Sequence, residues 1–285
     1  MGQNSNKHKK SQHDQPKDSQ LEQDTQKQVN IQKLLKDVKP KWVHHLTRAH
    51  EWYFKPTFLG TEHLSAERPA MYVGNHTLYG VIDTPLLIDY LMNECGIVVI
   101  SMADHVHFHV PIWDKVVKSF GGVHGLRENA RAVMQAGYSI LIFPGGGREV
   151  TKRKGEQYQL IWKERYGFLR LAQEFGYDIV PFAAYGGDDV FEPGLDANDV
   201  LKYRLSKQLL KIPQVKKLLR DGEIIPTFPK SIIPKKVPLY FQFLARINAP
   251  AKDANQHDLQ QLRELLQSQI YTALDELKTI SERDI

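Results

Sequence analysis

The sequence predicts an α/β fold, a mostly parallel sheet flanked by helices, on three observations. From Phe58 onward short apolar runs alternate with segments of helical periodicity, the pattern of strands joined by crossover helices. Two of those apolar runs, ending at Val73 and Phe143, break into glycine-bearing turns with charged or titratable residues, as strands do where such sheets carry their sites. The chain has 285 residues, 41% of them apolar, enough for one large domain or two small ones.

Residues 1–29 are Gln, Lys, Asn, Ser and Asp with almost nothing to bury, and a disordered polar tail is expected. Residues 30–57 read as amphipathic N-terminal helices. Ile31, Leu34, Leu35 and Val38 form a short one stopped by Pro40. Trp42, Val43, Leu46, Ala49, Trp52, Tyr53 and Phe54 form a second one, closed by Pro56. The aromatics and the flanking Lys39, Lys41, Arg48 and Lys55 leave two readings open: a helix in a membrane interface, or a helix packed on the core.

Strands follow at Ala70–Val73, Ile97–Ser101, Ser139–Phe143 and Ile179–Ala184. Helices are expected at 84–93, 112–120, 128–135 and 167–175, with Gly137 as a C-cap glycine. Residues 201–236 hold ten Lys and Arg against two acids, a solvated helix or a basic surface that meets anionic lipid. Pro238–Ile247 reads as a last strand. Leu259, Leu262, Leu266, Ile270, Leu274 and Leu277 then mark a long helix whose stripe docks on the core.

Several function classes are disfavoured. No run approaches the length of a membrane-spanning helix, and the N-terminus lacks the apolar core of a signal peptide. The single cysteine, Cys95, fits a reducing cytoplasm and a buried small-hydrophobe role. There is no Gly-x-Ser-x-Gly elbow and no Gly-x-Gly-x-x-Gly turn. Aromatics are not interleaved with basic residues as on an RNA platform, and no nucleic-acid partner is expected. The net charge of +5 nonetheless points to anionic partners.

Four stretches can carry chemistry. Gly74-Asn75-His76 ends the first strand, and Asp83 follows. Histidine suits proton abstraction near neutral pH, and a helical turn after Gly74 would place Asp83 on its face, where it would orient the ring. Phe143-Pro-Gly145-Gly146-Gly147-Arg148-Glu149 runs from a strand into three glycines, a nest for phosphate or an oxyanion with Arg148 as a fork-shaped donor. Gly121 to Arg127 is another glycine-rich turn before a helix, suited to phosphate. Asp104 to His109 alternates three histidines; a strand there would put them on one face, as a metal site or as a polar pocket wall.

Taken together these blocks resemble the phospholipid/glycerol acyltransferase superfamily, and most nearly its branch of diacylglycerol acyltransferases and plant phytyl ester synthases. The likeness spans about Phe58 to Pro193. It rests on Gly74-Asn75-His76 with a downstream acid, Gly121 to Arg127, Phe143-Pro-Gly-Gly with Arg148-Glu149, and Tyr158 through Arg165, Gly167-Phe168, Gly176 and Val180-Pro181. The resemblance implies an acyltransferase domain over 58–285, with a core at 58–193 and a basic part at 199–285. It implies an O-acyltransferase that moves a fatty acyl group from acyl-CoA or acyl-carrier protein to the hydroxyl of a glycerolipid or lipid alcohol. His76 would be the general base, Asp83 its orienting acid, and no acyl-enzyme would form. Substrate would be bound by Asn75, Arg127, Gly145, Gly146, Gly147, Arg148 and Glu149. No cofactor and no metal are implied; the partners are the thioester, the lipid and an anionic membrane surface. The expected location is cytoplasmic, peripheral on the inner face of the membrane. Lysophosphatidate acylation and non-catalytic lipid binding on the same fold are the alternatives. Six residues separate His76 from Asp83, where the family commonly has four. Either the turn carries an extra residue, or Asp83 is not the partner.

Overall fold

The computed structural model describes residues 31–109, 112–220 and 222–283. The expected disorder of residues 1–29 lies outside them. Two helices lead, α1 (Ile31–Asp37) and α2 (Pro40–Phe54). Pro40 starts α2 rather than simply ending α1, because a first-turn proline gives up no helical hydrogen bond.

The sheet comprises β1 (Thr57–Leu59), β2 (Met71–Gly74), β3 (Val99–Ala103), β4 (Gly122–His124), β5 (Ser139–Ile142), β6 (Ile179–Tyr185) and, near the C-terminus, β9 (Tyr240–Phe243). Their order is β1-β9-β6-β2-β5-β3-β4. β6, β2, β5, β3 and β4 run parallel; β9 is antiparallel to β6 and carries β1 parallel to itself. The sheet is therefore mostly parallel, as the alternation of strand and helix requires. Helices α3 (Asp83–Asp89), α4 (Trp113–Ser119), α5 (Arg127–Gln135), α6 (Gly147–Val150) and α7 (Gly167–Phe175) connect these strands. Residues 193–229 add β7 (Pro193–Leu195), α8 (Ala197–Val200), α9 (Arg204–Leu209), α10 (Pro213–Leu218) and β8 (Phe228–Pro229), with β7 and β8 pairing as a small separate ribbon. The last helix is α11 (Gln256–Arg283).

Side chains alternate between two cores. Met71 and Val73 of β2, Ile140 of β5 and Ile179 and Ala183 of β6 face one core, completed by Phe168 and Leu169 of α7 and by the buried stripe Leu266, Ile270, Leu274 and Leu277 of α11. Tyr72, Leu141, Val180 and Phe182 face the other, with Val43 of α2 and Leu86, Leu87 and Leu91 of the α3 region. Both faces of each central strand are thus covered. β2 lies in the middle of the sheet, between β5 and β6. Its partners are in register at Val73↔Ile142 and Gly74↔Phe182, so the segments after β2 and β5 leave the same edge side by side.

Candidate active site

That parallel register brings the histidine turn to the glycine turn. The His76 ring stacks on Phe143, centroids 3.9 Å apart and planes 12° from parallel. Gly80 abuts the ring at Cε1: a Cβ there would lie 2.2 Å from it. Gly80 itself has φ +62°, which glycine adopts without strain.

The turn is fixed from beneath. Asn75 exchanges two 2.8 Å hydrogen bonds with the backbone of Ala184 on β6. The His76 N–H donates to Glu149 Oε2 at 3.0 Å, and Ile161 N–H donates to Oε1 at 2.8 Å. Gly145 makes room for that carboxylate, since a Cβ at Gly145 would fall 2.1 Å from its Cδ. Lys152 Nζ donates to the His76 carbonyl at 2.8 Å and pairs with Asp188 at 2.8 Å, both side chains almost fully buried. Asp188 in turn accepts from the backbone amides of Leu78 and Tyr158. This buried ion pair holds the loop after His76, and no local pattern signals it: Lys152 stands in a Lys-Arg-Lys run, and Asp188 lies 36 residues away.

Burial works against charge on His76, Asp83 and Glu149. Burial lowers the His76 pKa to about 3, and the charges of Lys152 and His107 act in the same direction. Burial raises Asp83 to about 6, against hydrogen bonds from Thr77 and its own helix amides. Burial also raises Glu149 to about 7, opposed by Lys152 and the two amides it accepts from. In each case the low-dielectric surroundings penalise the charged form.

The expected His76–Asp83 hydrogen bond is absent. Residues 75–82 are irregular, and the helix begins only at Asp83, so the helical turn that would align the pair does not form. Asp83 is tied to Thr77 and the first turn of α3 instead. Both His76 Nδ1 and Asp83 Oδ1 are buried without a hydrogen-bond partner. His76 lines the adjoining cavity.

That cavity has a volume of about 1190 Å³ and is mainly apolar. Leu46, Ile82, Pro85, Ile88, Val116 and Phe120 line it, and so do Arg127, Arg165, Arg170 and Arg220. A volume of this size takes a drug-sized or larger ligand. Gly146 and Gly147 also line it, whereas Asn75, Gly145, Arg148 and Glu149 lie beneath the wall. Arg148 departs most from expectation. It is buried and bonded through both Nη2 contacts to Glu156, at 2.5 and 2.7 Å, so its guanidinium is engaged by Glu156 and does not line the cavity. Arg165, overlooked as a site residue, packs on the glycine turn instead, donating to the carbonyls of Pro144 and Gly145 at 2.8 and 2.7 Å. Arg127 does face the cavity, with Glu174 3.6 Å away.

The histidine cluster is no strand. His105–Phe108 is a single 3₁₀ turn. His107 accepts from the Trp113 indole at 3.0 Å, and both His105 and His107 line the cavity, which is the polar-wall reading. Among the described residues, the one group whose donors converge within 4.8 Å as metal ligands would is His44, Glu51 and Asp89 on α2 and α3. Asp89 there already accepts from Thr47, Asn93 and His44.

With this geometry in view, the comparisons with known proteins are consistent. Residues 55–185 match the family model "Acyltransferase". The chain is 32% identical to phytyl ester synthase 2 of Arabidopsis thaliana over 243 residues, covering 78% of this chain and 34% of that protein. It is 30% identical to the bovine "DGAT1/2-independent enzyme synthesizing storage lipids" over 145 residues, 46% of this chain and 42% of that one. It is 27% identical to diacylglycerol O-acyltransferase 2B of Umbelopsis ramanniana over 135 residues, 47% and 39% of the two chains. The chain spans about a third of the length of these curated relatives. Among solved structures, the 1-acyl-sn-glycerophosphate acyltransferase PlsC of Thermotoga maritima superposes with a TM-score of 0.55 at 15% identity, covering 84% of this chain and 80% of that one, which establishes the shared fold. Residues 55–185 thus carry the match to the acyltransferase family model, and the chain as a whole shares the fold of PlsC.

Proposed function

We propose that this protein is an O-acyltransferase that moves a fatty acyl group from an acyl thioester, acyl-CoA or acyl-carrier protein, to the hydroxyl of a glycerolipid or lipid alcohol, at a cytoplasmic membrane surface it binds peripherally. The observation that carries this reading is a neutral histidine, packed between Phe143 and Gly80, that lines a large, mainly apolar cavity together with four arginines. The apolar wall suits acyl and lipid chains. The arginines suit the phosphate of the donor.

In the reaction, His76 Nε2 takes the hydroxyl proton as the oxygen attacks the thioester carbonyl. The C–S bond then breaks, and the thiolate takes the proton from the imidazolium. Acyl transfer is direct, with no acyl-enzyme. Making imidazolium in so apolar a place needs a counter-charge. The unpartnered Asp83 Oδ1 is suited to supply it by closing onto Nδ1 as the proton transfers.

The names of the sequence relatives favour a neutral alcohol or glyceride as acceptor. The test is product analysis after incubating the protein with labelled acyl-CoA or acyl-carrier protein and a mixture of phytol, diacylglycerol and lysophosphatidate. A neutral ester supports the reading. Labelled phosphatidate alone would move the acceptor to a lysophospholipid, and free fatty acid alone would make the protein a hydrolase.

A further inference from the structure

Two chain segments far apart in sequence come together to expose large apolar side chains. Trp52, near the end of α2, is 76% exposed, and Ile232 and Ile233, in the loop between β8 and β9, are 88% and 73% exposed. The loop is fastened to α2 by the Tyr53 hydroxyl, which donates to the Pro234 carbonyl at 3.0 Å. It is fastened again by Lys236, whose Nζ lies 6.0 Å from the ring centroids of both Trp52 and Tyr53, a cation–π distance. The apolar tip is therefore a placed feature of the fold. Lys236 lies beside Trp52, and Lys55, Lys230 and Lys235 stand within three residues of the apolar side chains along the chain, with Glu192 balancing Lys230 and Lys235.

From this juxtaposition we infer that the Trp52–Ile232–Ile233 surface is where the protein enters an anionic lipid bilayer. Isoleucines this exposed are normally spared such contact with water, and a tryptophan beside lysines is the composition of a membrane–water interface. The lysines meet lipid phosphates while the three apolar side chains pass below them. The two readings left open for α2 are then both satisfied: Val43 and Phe54 pack on the core while Trp52, on the same helix, faces outward. No helix among the described residues is long and apolar enough to cross a membrane, so reaching a bilayer-borne acceptor calls for a surface of this kind. In that respect alone the inference rests on the proposed lipid substrate.

The test is partition of the full chain onto vesicles of phosphatidylcholine, with and without phosphatidylglycerol, read by sedimentation in the absence of any donor or acceptor. The wild type binds the anionic vesicles. Ile232→Ser with Ile233→Ser weakens binding roughly a hundredfold, about tenfold per side chain, with an unchanged circular dichroism spectrum. Lys55→Gln with Lys236→Gln weakens binding several-fold to the anionic vesicles only, and added salt removes the difference. As a readout independent of variant folding, brominated phosphatidylcholine quenches the wild-type tryptophan emission more than that of Trp52→Phe. Wild-type affinity in the folded isoleucine variant, or equal quenching with and without Trp52, overturns the inference. So does a wild-type dimer that the isoleucine substitutions split while vesicle binding persists. Binding without acyl transfer would sink the catalytic reading and leave this one standing.

Discussion

Glu149 accepts the backbone N–H of His76 at 3.0 Å, so an acid from the glycine turn after β5 holds the histidine turn after β2 by its main chain and leaves the imidazole free. The ring is positioned by packing instead, through Phe143 and Gly80. The consequences of that arrangement can be measured.

Gly80→Ala should disable the site while leaving the protein folded. The new Cβ would sit 2.2 Å from His76 Cε1, and the ring must move. A displacement near 1 Å at a reacting group costs on the order of a hundredfold in kcat. The left-handed φ adds roughly 1–2 kcal/mol of destabilisation. Steady-state rates and urea unfolding check the two parts separately.

Lys152→Met should be one of the most damaging substitutions away from the cavity. It strands Asp188 as an uncompensated buried charge and releases the His76 carbonyl. Breaking such a pair typically costs about 3–5 kcal/mol. The double variant Lys152→Met, Asp188→Asn should cost less than the sum of the two single variants in a double-mutant cycle read by urea unfolding.

The arginines should separate by role. Arg148→Ala should lower stability by roughly 2–3 kcal/mol, because it leaves the Glu156 carboxylate with the Arg153 N–H but without its cation, and leave the KM for the thioester unchanged. Arg127→Ala, whose side chain faces the cavity, should raise that KM roughly tenfold or more while stability holds. Titration of initial rates with acyl-CoA, beside thermal melts, distinguishes the two.

Asp83 sets a pH dependence. Its folded pKa is raised from 3.8 to about 6, so the stability it contributes is full below its unfolded value and is lost as pH rises through the folded one. Asp83→Asn should therefore be relatively stabilised at pH 8 by roughly 3 kcal/mol. Its stability should also fall less steeply than the wild type's between about pH 4 and 7. Chemical denaturation of both proteins across that range measures this. If Asp83 also closes on Nδ1, the same variant loses acyl transfer despite its added stability.

Much of the fold was legible because β2, β3, β5 and β6 are buried on both faces and so read as apolar runs. The stripe of α11 was legible for the related reason that one face must be apolar. β1 and β4 are three residues long and are held by neighbours rather than by their own composition. The site was half legible. His76, Arg127 and the glycine turn announce themselves through residue type at a strand end. What could not be read was direction: Arg148 turns inward to Glu156, and Arg165 takes the place beside the glycines. The coupling of Lys152 to Asp188 is a tertiary pairing without local pattern. The spacing from His76 to Asp83 did carry a warning, and the irregular turn between them is its structural counterpart.

The central claim is that His76 is the base of an acyl transfer. The most direct test is single-turnover transfer from labelled acyl-CoA to a lipid alcohol by His76→Ala, with a thermal melt to confirm folding. The account predicts a fall of about a thousandfold or more. Transfer at the wild-type rate by the folded variant would contradict it.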